Sequence, residues 1–216
     1  MSRSPVAGAR LVLFAALAAV GSAACEGGAA LRSPSPEALA EPAPDSFTVA
    51  METSAGLVEI LFVREWAPRG VDRVHYLSRH GFFDGARFFR VNPRVVQFGY
   101  SGVPELDSIW RTLPLQDEPV RASNVRGAVS FAKAGPDTRD FQLFINRIDN
   151  PAYDTCCDGG FAPVGRVIAG MDVVDAFYDG YGEPAPGVQD RIMVEGNALL
   201  RSEFPLLDSI VQARIR

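Results

Sequence analysis

Almost every apolar run in this chain is short, and almost every one is closed by Gly, Pro, Asn, Asp or Ser. Such a pattern leaves room for many brief strands and few helices. Phe47–Thr53 and Leu57–Val63 alternate with period two across the tight turn Ser54-Ala55-Gly56, which predicts a β-hairpin. Arg87–Val91 and Val95–Phe98 are two strands joined at Asn92-Pro93, where proline turns the chain without needing a donor. Gly127–Ala132, Phe141–Asn146, Phe161–Val167 and Arg191–Val194 complete the set. Two core helices are expected. One opens at Ala67-Pro68 and ends near His80-Gly81, with Val71, Val74 and Leu77 inward. The other covers Met171–Phe177, with Val173, Val174 and Phe177 inward. The implied class is mainly β, a closed barrel capped by helices. A third helix is expected over Ser202–Arg214, where Phe204, Leu207, Ile210 and Val211 form a stripe. Residues 100–127 read as irregular, with Trp110 a loop anchor.

The 216 residues suffice for one core plus appendages. Net charge is -5, which suggests no nucleic-acid partner. Arg3 and Arg10 precede the short apolar run Leu11–Val20 and the small residues Gly21-Ser22-Ala23-Ala24-Cys25. That run is too short to span a bilayer and has the order of a secretory signal over residues 1–24. Cys25 stands where a bacterial lipoprotein is lipidated, although Ser22 replaces the usual Leu; the competing reading is ordinary cleavage after Ala24. Either reading puts the mature protein outside the cytoplasm, in the periplasm or tethered to a membrane through Cys25. Residues 25–46 are small, Pro-rich and polar, as in a disordered tether. The remaining cysteines, Cys156 and Cys157, are neighbours, so they are two thiols or a vicinal disulfide.

Within Arg87–Gly99, a guanidinium (Arg90) and an amide (Gln97) interrupt apolar surroundings. A charge there is paired, used, or kept in water with its stem buried. His75 and His80, the only histidines, are five apart and diverge around a helix, which argues against a metal pair. Asp117-Glu118 reads as loop solubility rather than a paired acid site. Lys133, the only lysine, is either a solvated loop charge or a groove-rim contact for acidic substrates.

Three stretches in order resemble cyclophilin, the peptidyl-prolyl cis/trans isomerase family. They are Phe88-Phe89-Arg90-Val91 with Pro93 and Val96-Gln97; Ser130-Phe131-Ala132 with Ala134-Gly135-Pro136, Thr138 and Gln142–Asn146; and Gly160–Val167 followed by Gly170–Asp175. The resemblance spans about residues 47–197 and implies an eight-stranded antiparallel barrel, leaving 198–216 as a helical extension. It implies rotation of X–Pro bonds in proline-containing polypeptides, by a monomer without cofactor or metal. Carried over by position, Arg90 is the catalytic arginine. Gln97 holds the substrate backbone and Phe144 floors the proline pocket. Ala132, Lys133, Gln142, Phe161, Phe89 and Val95 line the groove, Phe161 standing where a histidine is common.

Three departures accompany the match. The turn after Pro93 is one residue shorter than usual and places Arg94 where a wall phenylalanine is expected, adding positive charge near the groove. No tryptophan lies between Ile148 and Gly160, which implies weak cyclosporin binding. Phe141 replaces a small residue before Gln142 and is expected to shift that glutamine. A proline-binding module with little turnover is therefore the alternative to an enzyme.

Overall fold

The computed structural model describes residues 28–216. The signal segment and Cys25 lie outside the described residues. Eight strands form one sheet: β1 (Ser46–Thr53), β2 (Gly56–Val63), β3 (Arg90–Val91), β4 (Val95–Phe98), β5 (Ala128–Phe131), β6 (Leu143–Asn146), β7 (Pro163–Ala169) and β8 (Ile210–Ile215). Every pairing is antiparallel, in the order β3-β4-β6-β5-β7-β2-β1-β8. The sheet curls until its edges meet at the bridge between Arg87 and Ser209, where Phe88 N–H donates to Asp208 O and Ile210 N–H to Ala86 O.

The β1–β2 turn is closed by Thr53, whose Oγ1 accepts from Gly56 N–H at 3.1 Å and donates to Gly56 O at 2.6 Å. Helix α1 (Pro68–Arg79) begins with proline in its first turn, and Val71, Val74 and Leu77 are buried against β7 and β8 as the apolar spacing requires. Gly70 allows the helix to touch the sheet, since a Cβ there would lie 2.7 Å from Val164 Cγ1. Helix α3 (Met171–Ala176) packs on β2. The core between these layers is aromatic, with Phe82, Phe88, Phe98, Phe131, Phe141 and Phe177 all buried.

Four segments differ from the sequence expectation. Residues 28–46 are packed rather than a loose tether. Leu31 is buried, its carbonyl accepts from Trp110 Nε1 at 3.1 Å, and Ala30 O accepts from the Tyr76 hydroxyl at 3.1 Å. Few apolar residues are needed to dock a segment when a buried indole offers it a donor. Trp110 itself is not in a loop but in helix α2 (Pro104–Arg111). Arg191–Val194 is not a strand: it belongs to the C-terminal helix α4 (Val188–Glu203). Ile192, Leu199 and Leu200 are its buried apolar side chains, a spacing of seven and eight residues that a short window around Ile192 does not reveal. Gly196 kinks α4 at φ +57°, and any Cβ there would lie 2.5 Å from Gly102 O. Ser202–Arg214 is correspondingly not the helix. Its β-branched end forms β8 on the edge of β1, with Ile210 and Ala213 inward and Val211 exposed.

Candidate active site

Antiparallel register places the key side chains in a row. Arg90 on β3 stands opposite Gln97 on β4, Gln97 opposite Phe144 on β6, and Phe144 opposite Ser130 on β5. Directly opposed residues share a face of the sheet, so the cation, the amide and the aromatic ring arrive side by side. They line one cleft of about 700 Å³, together with Val95, Ala132, Lys133, Gln142 and Phe161. Phe89 does not join them. Strand alternation turns it away from Arg90 into the core, where its ring meets Tyr100 at 5.0 Å.

The polar side of the cleft is a directed chain. Arg90 Nη1 donates to Gln97 Oε1 at 3.0 Å, Gln97 Nε2 to Gln142 Oε1 at 3.0 Å, and Gln142 Nε2 to the Tyr100 oxygen at 3.3 Å. The Tyr100 hydroxyl then donates to Gln189 Oε1 at 3.4 Å. A guanidinium can only donate, so its presence at the head fixes the orientation of both amides behind it. Burial pushes the Tyr100 phenol up to about 12, which keeps it a neutral donor. Arg90 is also held from outside: the Glu183 carboxylate lies 2.8 Å from its Nε and accepts from Asn92 Nδ2 at 3.0 Å.

The apolar side is an edge-on cluster of three rings. Phe144 and Phe161 have centroids 5.5 Å apart, Phe144 and Tyr153 6.0 Å, and Tyr153 and Phe161 5.5 Å. Buried Asn124 braces it from behind, donating through Nδ2 to Phe161 O and to Asp154 Oδ1, both at 2.8 Å.

Lys133 and the acidic pair are neither solvated nor free. The Lys133 side chain is 2% exposed, and its Nζ donates to Asp117 Oδ2 at 2.8 Å and Asp158 O at 3.0 Å. Glu118 accepts from Arg69 N–H at 2.8 Å, Gly70 N–H at 3.1 Å and Arg139 Nη2 at 3.1 Å. It thus caps α1 and neutralises a buried arginine, which corrects the solubility reading. Arg94 is absent from the cleft lining; its Nη1 reaches Asn150 Oδ1 at 3.4 Å. The short turn is closed instead by Asn92 Oδ1, which accepts from Arg94 and Val95 N–H, both at 2.9 Å. Phe141 is buried against Phe82 and Tyr100, while Gln142 stays in the cleft.

Sequence reasoning missed Tyr100, Tyr153 and Gln189 as lining residues. Gln189 lies in the first turn of α4, the helix that takes in the predicted strand Arg191–Val194. Among the described residues, no three His, Cys, Asp or Glu side chains are grouped to hold a metal ion.

The family described as cyclophilin-type peptidyl-prolyl cis-trans isomerase/CLD matches residues 48–195. The chain belongs to the cyclophilin family. Among curated cyclophilin relatives, a peptidyl-prolyl cis-trans isomerase of Acinetobacter baylyi is 32% identical over 130 residues, covering 59% of this chain and 69% of that one. Another from Schizosaccharomyces pombe is 32% identical over 129 residues, covering 58% and 81%. In fold, a solved cyclophilin from Cryptosporidium parvum superposes with a TM-score of 0.57 at 17% identity, covering 79% of this chain and 98% of that one. A cyclophilin from Hirschia baltica gives 0.53 at 16% identity, covering 80% and 75%.

Proposed function

We propose that this cyclophilin rotates X–Pro bonds of exported polypeptides, with Arg90 as the catalytic donor. The row Arg90–Gln97–Phe144 on adjacent strands carries the reading. Amide resonance sets a barrier of roughly 18–20 kcal/mol to the rotation, and no bond needs to break. In the twisted state the imide nitrogen becomes pyramidal and gains a lone pair. A fixed guanidinium aimed there stabilises the twisted state more than either planar one. Gln97 and Glu183 hold two edges of Arg90, and its Nη2 is left for substrate. Phe144, Phe161 and Tyr153 hold the proline ring and exclude water, which strengthens the cation's field. Gln97 and Gln142 present amides to the substrate backbone. A solved relative from Cryptosporidium parvum was crystallised in the presence of the dipeptide Ala-Pro, which supports a proline peptide as the occupant.

The test is a proline-peptide isomerisation assay on the mature protein beside Arg90→Ala. Losing one preorganised donor should lower kcat/KM about 100- to 1000-fold. Equal rates would remove Arg90 from the mechanism. One observation favours the second reading, a proline-binding module with little turnover: the Glu183 carboxylate on Arg90 Nε offsets part of the cation's field. Peptide binding without turnover in the wild type, with turnover appearing in Glu183→Gln, would establish it.

Export rests on the order of residues 1–24, and the membrane tether on Cys25. Mass spectrometry of the mature N-terminus decides between a lipidated Cys25 and ordinary cleavage after Ala24. An N-terminus still beginning at Met1 in fractionated cells would overturn export.

A further inference from the structure

The segment joining Tyr153 to Phe161 carries both described cysteines, and so connects two rings of the proline pocket. Adjacent side chains normally diverge, but here they converge. Cys157 and Asp158 adopt left-handed backbone conformations, φ 56° and 59°, and the Sγ atoms of Cys156 and Cys157 lie 2.7 Å apart. L-residues rarely visit that region, and two in succession are held there by their surroundings. Both ends of the segment are pinned. Gly160 N–H donates to Cys156 O at 2.6 Å, Phe161 N–H donates to Tyr153 O at 2.8 Å, and Asp154 is held by Asn124. The middle is exposed, and Cys157 lines the cleft. The Asp158 carbonyl, one residue on, accepts from the buried Lys133 ammonium, which sits 5.8 Å over the Phe161 ring.

We propose that Cys156 and Cys157 form a thiol–disulfide modification site that sets how well the cleft binds proline peptides. The co-reactant is a low-molecular-weight disulfide. The exposed Cys157 thiolate attacks one of its sulfurs, forming a mixed disulfide and releasing the first thiol. Cys156 then loses its proton, attacks the Cys157 sulfur and releases the second thiol. Two protein thiols are oxidised and one disulfide is reduced to two thiols. Cys157 is the more exposed of the two and lines the cleft, so it is the nucleophile of the first step; burial and the neighbouring sulfur push the Cys156 thiol up to about 11.

A bond between neighbouring cysteines closes a small ring through the peptide that joins them and restricts its geometry. The Asp158 carbonyl follows that peptide, and Lys133 loses one of its two acceptors, keeping only Asp117. The cleft wall beside Phe161 changes, while Arg90, across the cleft on β3, keeps Gln97 and Glu183. The effect therefore falls on KM rather than kcat.

The activity readout rests on the isomerase reading above, so chemistry and turnover are measured separately. The full-length mature protein is equilibrated with oxidised glutathione or with dithiothreitol and digested with trypsin. The peptide spanning residues 148–166 should lose the mass of two hydrogens in the oxidised sample and recover it on reduction. Isomerisation by the oxidised protein should show KM raised at least threefold with kcat little changed. The Cys156→Ser/Cys157→Ser double variant should be insensitive to oxidant. A cross-link to Cys25, or a stable glutathione adduct without ring closure, would overturn the site. Ring closure with unchanged KM would overturn its effect on binding. A reduced protein with no turnover would instead defeat the isomerase reading; oxidation is then read as a threefold change in proline-dipeptide affinity by titration, and its absence overturns the effect equally.

Discussion

Replacing Glu118 tests whether the seat of α1 is built on a buried charge. Its side chain is 7% exposed and that of Arg139 2% exposed. The carboxylate accepts from two backbone N–H groups at the start of α1 and from Arg139. Each hydrogen bond to a charged group is worth about 1.5–3 kcal/mol. Stripping one partner from a buried pair costs about 3–5 kcal/mol. These contributions overlap because the same two oxygens make all three contacts, so Glu118→Ala should cost about 3–5 kcal/mol in total. Glu118→Gln keeps one acceptor for α1 but turns an amide N–H₂ towards Arg139, and should cost about 2 kcal/mol. Urea denaturation reads both. With a slope of about 2 kcal/mol per molar, the Ala variant should lose about 2 M in midpoint at unchanged slope. Combining it with Arg139→Met should recover at least about 1 kcal/mol of coupling. A loss below about 1 kcal/mol for Glu118→Ala, or no coupling, would mean that the acid is solvated and the buried network is not what holds α1 to the loop.

Other perturbations probe the remaining parts. Leu31→Ala should cost about 2–3 kcal/mol and shift Trp110 fluorescence, because Leu31 is buried beside the indole; a change under about 0.5 kcal/mol would return residues 28–46 to a free tether. Gly196→Ala should cost about 3 kcal/mol, since the φ of +57° and the Gly102 carbonyl both reject a Cβ; a neutral outcome would remove the kink from α4. Burial, with Arg79 nearby, holds His75 and His80 below the ordinary imidazole value. The unfolded chain therefore binds more protons as pH falls, and their contribution is full above about 6.5 and fades below it. Asp107 runs the other way: burial pushes it up to about 6, so its contribution is lost as pH rises from about 4 towards that value. The His75→Phe/His80→Phe protein should lose less stability than wild type between pH 7 and pH 5, and a steeper loss would refute the assignment. Cyclosporin titration should give only weak binding, because no tryptophan occurs between residues 148 and 160; a tight complex would contradict that.

What the sequence disclosed and what it hid divide along the range of the interactions. The β1–β2 hairpin is written in alternation and a tight turn, which the structure closes over the two residues Ser54 and Ala55, and α1 in proline placement and apolar spacing, all within a few residues. Arg90 and Gln97 stand out because a charge and an amide sit where neighbours are apolar; only the register shows that they face each other and Phe144. Phe89 could have been excluded by alternation, since it adjoins Arg90 and must point the other way. The tail misled because Phe204, Leu207, Ile210 and Val211 suit a helix locally. The decision came from the free edge of β1, which takes Ile210–Ile215 as a strand. Arg191–Val194 misled in the opposite sense, as a four-residue window cannot separate Ile192 on a helix from Ile192 on a strand. Glu118 and Lys133 were opaque for a stronger reason. Whether a charge is solvated depends on partners 15 to 50 residues away, such as Arg69 for Glu118 and Asp117 for Lys133. The groups that hold the cleft's rings and amides in place, Asn124 and Gln189, are of that kind. Their identities look ordinary in a loop or a surface helix, and only closure of the sheet brings Asn124 under Phe161. A chain of this type therefore announces the residues that touch a substrate, which must break the local pattern, and conceals the residues that aim them, which need not.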